Sequence, residues 1–155
     1  MIYWFTGQPG HGKTVQATLL LETFNKGVSF SERAFHIDGD HLRDLVYNKD
    51  YSREGREANI RLAQSMAKYL HINGFDVIVS LVAPYRELRE QFKEDMGKDV
   101  VEIYVHTDEI RGREHFHTEY EAPVENFIDL CTTGEDPYVT YGRLLDLLDE
   151  WEGNM

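Results

Sequence analysis

The stretch Phe5-Thr6-Gly7-Gln8-Pro9-Gly10-His11-Gly12-Lys13-Thr14 follows directly on the apolar run Met1-Ile2-Tyr3-Trp4-Phe5. Gly7, Gly12, Lys13 and Thr14 fit the spacing G-x-x-x-x-G-K-[ST], a loop that joins a buried strand to a helix and wraps a polyphosphate. The chemistry explains the residue types. Gly7, Gly10 and Gly12 can take backbone angles closed to residues with a Cβ, so successive N–H groups turn inward as an anion-binding concavity. Lys13 then reaches the β- and γ-phosphates of ATP as a mobile point charge, and the Thr14 hydroxyl is the natural ligand for Mg2+. Gly7, Gly10, His11, Gly12, Lys13 and Thr14 are therefore the expected nucleotide-binding set, with Thr14 as metal ligand. A glycine-rich turn before an ordinary helix is the bland alternative, and the order of strand, loop and helical run 15–24 argues against it.

Working outward, 155 residues with 41% hydrophobic content suit one compact domain over 1–155. No basic-then-apolar leader precedes the loop and no apolar run approaches a membrane span, so a soluble cytoplasmic protein is the expectation. The lone Cys131 excludes an internal disulfide, suits a reducing compartment, and reads best as a small half-buried apolar residue. A formal charge of −12 repels nucleic acid and anionic membrane, so an anionic ligand must be drawn in by a local positive cluster. Much of that charge lies at the end, where Leu144, Leu145, Leu147, Leu148 and Trp151 share a helical stretch with Asp146, Asp149, Glu150 and Glu152.

Periodicity predicts strands over 2–6, 34–37, 75–81 and 100–105, and helices over 13–25, 40–46, 53–73, 85–96, 107–121 and 139–151. Such alternation calls for an α/β fold of the P-loop NTPase kind, a mostly parallel sheet with helices on both faces. Ligands collect there beyond the carboxyl ends of the strands.

After the second strand, Asp38 and Asp40 flank a glycine, with Arg43 on the helix that follows. A carboxylate placed there can accept a proton from an attacking hydroxyl or hold Mg2+ through water, and it can also cap the helix. Lys13, Asp38 and Asp40 are the catalytic candidates, with the functional reading favoured for Asp38. Ser52 can cap a long helix that shows Arg56 and Asn59 toward a second anionic pocket and buries Ile60, Ala63, Met66, Ala67 and Leu70. Taken alone, its arginines read better as surface partners of neighbouring glutamates. After the third strand, Pro84 breaks pairing so that Tyr85 and Arg86 can open the next helix at the cleft rim.

The segments GQPGHGKT, DGDHLR, DYSREGREANIR, VSLVAPYRE, VEIYVHT and TTGEDPY, in this order, resemble the adenylylsulfate kinase family over nearly the whole chain. The corresponding family patterns are G-x-x-G-x-G-K-[ST], D-G-D-N-x-R, G-F-S-x-x-x-R-x-x-N-I-R, S-x-x-S-P-[YF]-R, E-[VI]-[YF]-V-x-[TC] and F-T-G-I-D-x-P-Y. The resemblance implies transfer of the γ-phosphoryl of ATP to the 3′-hydroxyl of adenosine 5′-phosphosulfate, giving PAPS. It implies Asp38 as the proton acceptor, Arg43, Arg56 and Asn59 on the phosphosulfate and ribose, and Tyr51 as one face of an adenine clamp. With Tyr85 these form the expected substrate-binding set.

The chain differs from the family at His41, in place of an asparagine, and at Ala83, in place of a serine. It has no counterpart to the lid pattern R-D-x-K-G-L-Y or its lysine, and Thr132 aligns with the second stacking phenylalanine, for which Phe116, Tyr120 and Phe127 are the alternative rings. A lid bringing Arg111 or Arg113 to the ATP phosphates fits the run REHFHTEY better than a zinc site at His115 and His117 with Glu114 or Glu119, because histidines two apart do not face one another on a helix. Arg113 completes the expected nucleotide-binding set. The expected partner is a small-molecule substrate, adenylylsulfate or similar, without nucleic acid or membrane, and a homodimer is the oligomer to test. Two other readings stand beside this one: a kinase of another small hydroxyl acceptor, and an ATP-binding module without turnover.

Overall fold

The computed structural model describes residues 1–116 and 118–155, which leaves His117 and its part in the zinc reading outside the described residues. Five parallel strands form one sheet in the order β2-β3-β1-β4-β5: β1 is Ile2–Thr6, β2 Phe35–Asp38, β3 Val77–Ser80, β4 Val100–His106 and β5 Phe127–Cys131. The helices are α1 Lys13–Asn25, α2 Gly39–Leu45, α3 Arg53–Ile72, α4 Arg86–Met96 and α5 Pro137–Gly153.

Strand β1 is buried along its whole length, as a central parallel strand must be, and its alternating side chains feed two cores. Ile2 and Trp4 face Ile60, Ala63 and Ala67 of α3 and Leu88 and Phe92 of α4. Tyr3 and Phe5 face Ala17 and Leu20 of α1 and Leu144 and Leu148 of α5. Helices therefore cover both faces, with β1 flanked by β3 and β4. Among the described residues no helix is long and apolar enough to cross a membrane.

Local chemistry sets the helix starts. Ser52 accepts from Gly55 N at 3.4 Å to cap α3, and Asp136 accepts from Tyr138 N at 2.9 Å to cap α5, which opens on Pro137. Gly55 is required at its place because a Cβ there would lie 2.0 Å from the Asp50 carbonyl oxygen.

Two expectations are corrected. No α-helix forms among the described residues of 107–121; only the 3-10 turn Glu114–Phe116 occurs there. The Thr107 hydroxyl accepts from Glu109 N at 3.1 Å, Gly112 takes φ 78°, and the backbone of Thr118 is occupied by the Gln8 side chain, so the helical ladder never starts. Strand β5 forms where periodicity assigns neither strand nor helix. Its Ile128 and Leu130 are buried on either side of exposed Asp129, an alternation confined to five residues at the sheet edge.

The α4 face of the sheet also holds a buried charge cluster. Arg89 Nε donates to Glu102 Oε1 at 2.6 Å, and Lys93 Nζ lies 2.7 Å from Glu102 Oε2 and 2.8 Å from Glu90 Oε1. Arg89 also donates to the carbonyls of Ala83, at 2.5 Å, and Glu121, at 2.5 Å. The cluster thus ties the segment before β5 to α4. Replacing Glu102 with Leu would leave the buried Arg89 without its counter-charge and take from Lys93 one of its two carboxylates, and an unfolding cost of about 3–5 kcal/mol is expected from urea titration. A loss below about 1 kcal/mol would show that the cluster does not hold this face together.

Candidate active site

A cleft of about 1040 Å³ opens beyond the carboxyl ends of β1, β2 and β3. The loop after β1 forms its floor. Gly7 has φ 147°, and a Cβ there would sit 2.1 Å from the Val105 carbonyl oxygen, so only glycine lets the loop leave β1 beside β4. Gly10 and Gly12 take φ 80° and 103°, and Gly12 is the N-cap of α1. Gly10 and Lys13 line the cleft, whereas Gly7, His11 and Gly12 are not among its lining residues. His11 serves through its carbonyl, which accepts the Thr132 hydroxyl at 3.0 Å.

Lys13 is buried and its Nζ donates to the Gln8 carbonyl at 2.8 Å. Burial pushes its ammonium down to about 8, against the pull of Asp40 and Asp38, while Arg113 adds a push in the same direction as burial. The charges of these four residues are therefore coupled around one space. Arg113 itself lines the cleft beside Gly10, where its Cβ would be 3.1 Å from a Cβ on that glycine.

Asp38 ends β2 and caps α2. Its Oδ2 accepts the backbone N–H of His41 at 3.3 Å, and its Oδ1 accepts the hydroxyls of Ser80 at 2.9 Å and Thr14 at 3.3 Å. Capping and placement toward the cleft are thus properties of one carboxylate. Asp40, exposed in the first turn of α2, lines the same space. Across from it, Arg43 donates through Nη1 to the carbonyl of Asp50 at 3.0 Å and lies 4.2 Å above the Tyr51 ring. Arg56 Nη1 donates to the Thr118 hydroxyl. Asn59, almost fully buried, gives its Nδ2 to the Gly39 carbonyl at 3.3 Å, while its Oδ1, among the described residues, has no hydrogen-bond partner.

Two expected positions fall elsewhere. Tyr85 is buried in the core against α3 and α4, with the Arg53 guanidinium 4.3 Å above its ring, and it does not line the cleft. Thr132 is also buried; its hydroxyl props the phosphate loop at His11, and it does not line the cleft. Phe116 does line the cleft, as Tyr51 does. Sequence reasoning missed Ser80 as a partner of Asp38, although the parallel register that sets Asp38 against Ser80 follows from two strands ending together. Among the described residues no group of three or more His, Cys, Asp or Glu could hold a metal, and the His115 ring lies with its centroid 3.9 Å from that of Phe116, tilted by 43°.

A glycine-rich loop after a central parallel strand, a lysine in its helix, and a carboxylate at the next strand end define a P-loop phosphotransferase. A profile of the adenylylsulphate kinase family matches residues 1–138. The chain belongs to that family. It is 38% identical over 104 residues to the probable adenylyl-sulfate kinase of Pyrococcus abyssi, a match covering 66% of this chain and 58% of that one. It is 30% identical over 167 residues to the adenylyl-sulfate kinase of Picosynechococcus, covering 95% of this chain and 92% of the relative. The APS kinase CysC of Mycobacterium tuberculosis, solved in complex with AMPPNP and APS, superposes with a TM-score of 0.78 at 25% identity, covering 96% of both chains.

The lowered Lys13 has a measurable consequence. A polyphosphate beside it restores its affinity for the proton, so above about pH 8 binding must take up a proton that the free protein has lost, while below that pH both states are protonated. Calorimetry of ATP binding in buffers of different ionisation enthalpy should show almost no proton uptake at pH 7 and uptake approaching one proton near pH 9 to 9.5. The dissociation constant should then rise by up to about tenfold per pH unit. A flat response would place Lys13 away from the phosphates.

Proposed function

We propose that the chain transfers the γ-phosphoryl group of ATP to the 3′-hydroxyl of adenosine 5′-phosphosulfate, giving PAPS and ADP. The observation that carries this reading is Asp38, held by three donors at the strand end and coupled in charge to Lys13 across the cleft. In this reading the loop N–H groups and Lys13 hold the transferring phosphoryl. Arg113 adds charge as the leaving oxygen develops its own. The acceptor enters from the α2–α3 side, where Arg43, Arg56 and Asn59 meet the phosphosulfate and ribose. Asp38 takes the proton of the 3′-hydroxyl as that oxygen bonds to phosphorus and the bond to the ADP oxygen breaks. Tyr51 and Phe116 offer their rings to the adenine from the walls of one cleft.

The residues present suit Mg2+. Thr14 and Asp38 are adjacent hard oxygen donors, and the scarcity of other acidic ligands among the described residues fits an ion bound chiefly through substrate phosphates. Thr14 would hold it, with Asp38 reaching it through water. When bound, the ion would offset the negative charge of the ATP phosphates.

Incubation with ATP, Mg2+ and a panel of hydroxyl acceptors tests the assignment, with adenylylsulfate expected to be the acceptor that yields a phosphorylated product. Asp38→Asn should keep ATP affinity within about threefold and lower kcat by about 10² to 10⁴, since an amide of nearly the same shape cannot accept the proton. An unchanged kcat would leave Asp38 as a helix cap alone. Phe116→Ala should raise the KM for adenylylsulfate by about five- to a hundredfold with the KM for ATP held, the worth of one stacked ring. Equal effects on both substrates would remove Phe116 from the acceptor side.

A further inference from the structure

Behind Asp38 lies a second polar side chain that the phosphoryl transfer described above does not use. His36 and Asp38 are two apart on β2 and so share one face of the sheet, and the parallel register sets Ser80 of β3 against Asp38. His36 Nε2 is 2.7 Å from Ser80 Oγ, and Ser80 Oγ is 2.9 Å from Asp38 Oδ1. Ser80 is buried and His36 half-buried at the edge of the sheet.

Counting protons fixes the direction of this chain. An ionised carboxylate only accepts, and a serine hydroxyl has one proton to give. Ser80 must therefore donate to Asp38, which leaves its lone pair facing His36, and Nε2 must supply the N–H. The imidazole is locked in the Nε2–H form by its neighbours.

We propose that His36 and Ser80 form a one-way donor chain that orients the Asp38 carboxylate for proton acceptance, which makes His36 a positioning residue for the reaction. The inference rests on Asp38 being the proton acceptor. Thr14 also donates to Oδ1, at 3.3 Å, but it is the expected ligand of the cation, whereas Ser80 has no competing partner in the cleft chemistry. With Ser80 on Oδ1 and His41 N–H on Oδ2, the carboxylate cannot rotate without losing a bond at each end. Burial, the larger effect, pushes the His36 imidazole down from its ordinary value; His41 pushes the same way and Asp38 opposes. A neutral hydrogen-bond donor lowers a carboxylate's basicity less than a cation at the same place would. The chain is a clamp and not a proton wire: Nε2 already carries its proton, so none passes from Ser80 to the ring.

The test compares His36→Leu, His36→Gln and Ser80→Ala, each in the wild-type and Asp38→Asn backgrounds, with ATP and adenylylsulfate as substrates. His36→Leu and Ser80→Ala should each lower kcat by about ten- to a hundredfold and leave both KM values within about twofold, because neither residue holds a substrate. His36→Gln should recover most of the rate, since its amide N–H can reach the Ser80 oxygen. In the Asp38→Asn background the same substitutions should cost almost nothing more, the signature of residues acting through one group. Unchanged kcat in both single variants overturns the proposal, as do KM increases that match the kcat loss, or losses that repeat in full without the carboxylate. If Ser80→Ala does not fold, the His36 pair decides alone. The underlying assignment fails differently: Asp38→Asn then turns over at the wild-type rate, or adenylylsulfate gives no product with any variant, and either result overturns the clamp with it.

Discussion

Everything at the site depends on the close passage of Gly7 across the Val105 carbonyl. A Cβ there would come within 2.1 Å of that oxygen, and the φ of 147° closes the position to other residues independently. This contact lets β1 run flush between β3 and β4 and then turn at once into the loop that ends at α1. The strand order reverses about β1, with β3 and β2 on one side and β4 and β5 on the other, so the crevice falls where the loop emerges. Lys13, the first residue of α1, is then buried at the mouth of that crevice, and its depressed ammonium follows from the burial.

The parts legible in the sequence were those fixed by local constraints. The glycine spacing placed the loop, and the apolar run placed β1 and α1 with the observed bounds. Asp38, Asp40, Arg43, Tyr51, Arg56, Asn59 and Arg113 meet in one cleft because each sits just beyond a strand end, in the helix that follows one, or on the segment that closes over them. The errors lie where tertiary partners decide. Residues 107–121 carry helical-looking charge spacing but no apolar stripe, and their backbone groups go to side chains elsewhere in the fold. Strand β5 is short and half-polar, and it exists because β4 offers it a parallel edge. Thr132 stands where the family pattern has its second stacking phenylalanine, and its place after β5 sends it under the phosphate loop. Tyr85 follows a proline at a rim, yet its ring turns into the core beneath Arg53.

The segment over the cleft is secured from both ends in place of an internal helix. Gln8, within the phosphate loop, gives its amide to the Thr118 carbonyl at 2.7 Å and accepts the Thr118 N–H at 3.2 Å, as a neighbouring strand would. Arg89 reaches the Glu121 carbonyl from a buried cluster, and Tyr120 places its hydroxyl 2.8 Å from that of Thr6. Arg113 and Phe116 project from the stretch between Gly112 and these anchors. Its N-terminal limb is fastened too, by Arg111 Nη2 on the Thr132 carbonyl at 3.0 Å and by the Gly134 N–H on Glu109 Oε1 at 2.6 Å.

Charge gives the last constraint. The chain carries −12 overall, yet Lys13, Arg43, Arg56 and Arg113 all line one cleft. Low-dielectric walls focus that positive field outward, while the acidic remainder of the surface repels other polyanions. Arg43 and Arg56 already bond to the Asp50 carbonyl and the Thr118 hydroxyl, so both are held in place before a ligand arrives. Their ordering entropy is spent on folding and not on binding. The same logic extends to Asp38, fixed by His41, Ser80 and Thr14, so that this carboxylate has little freedom to turn toward the cations around it.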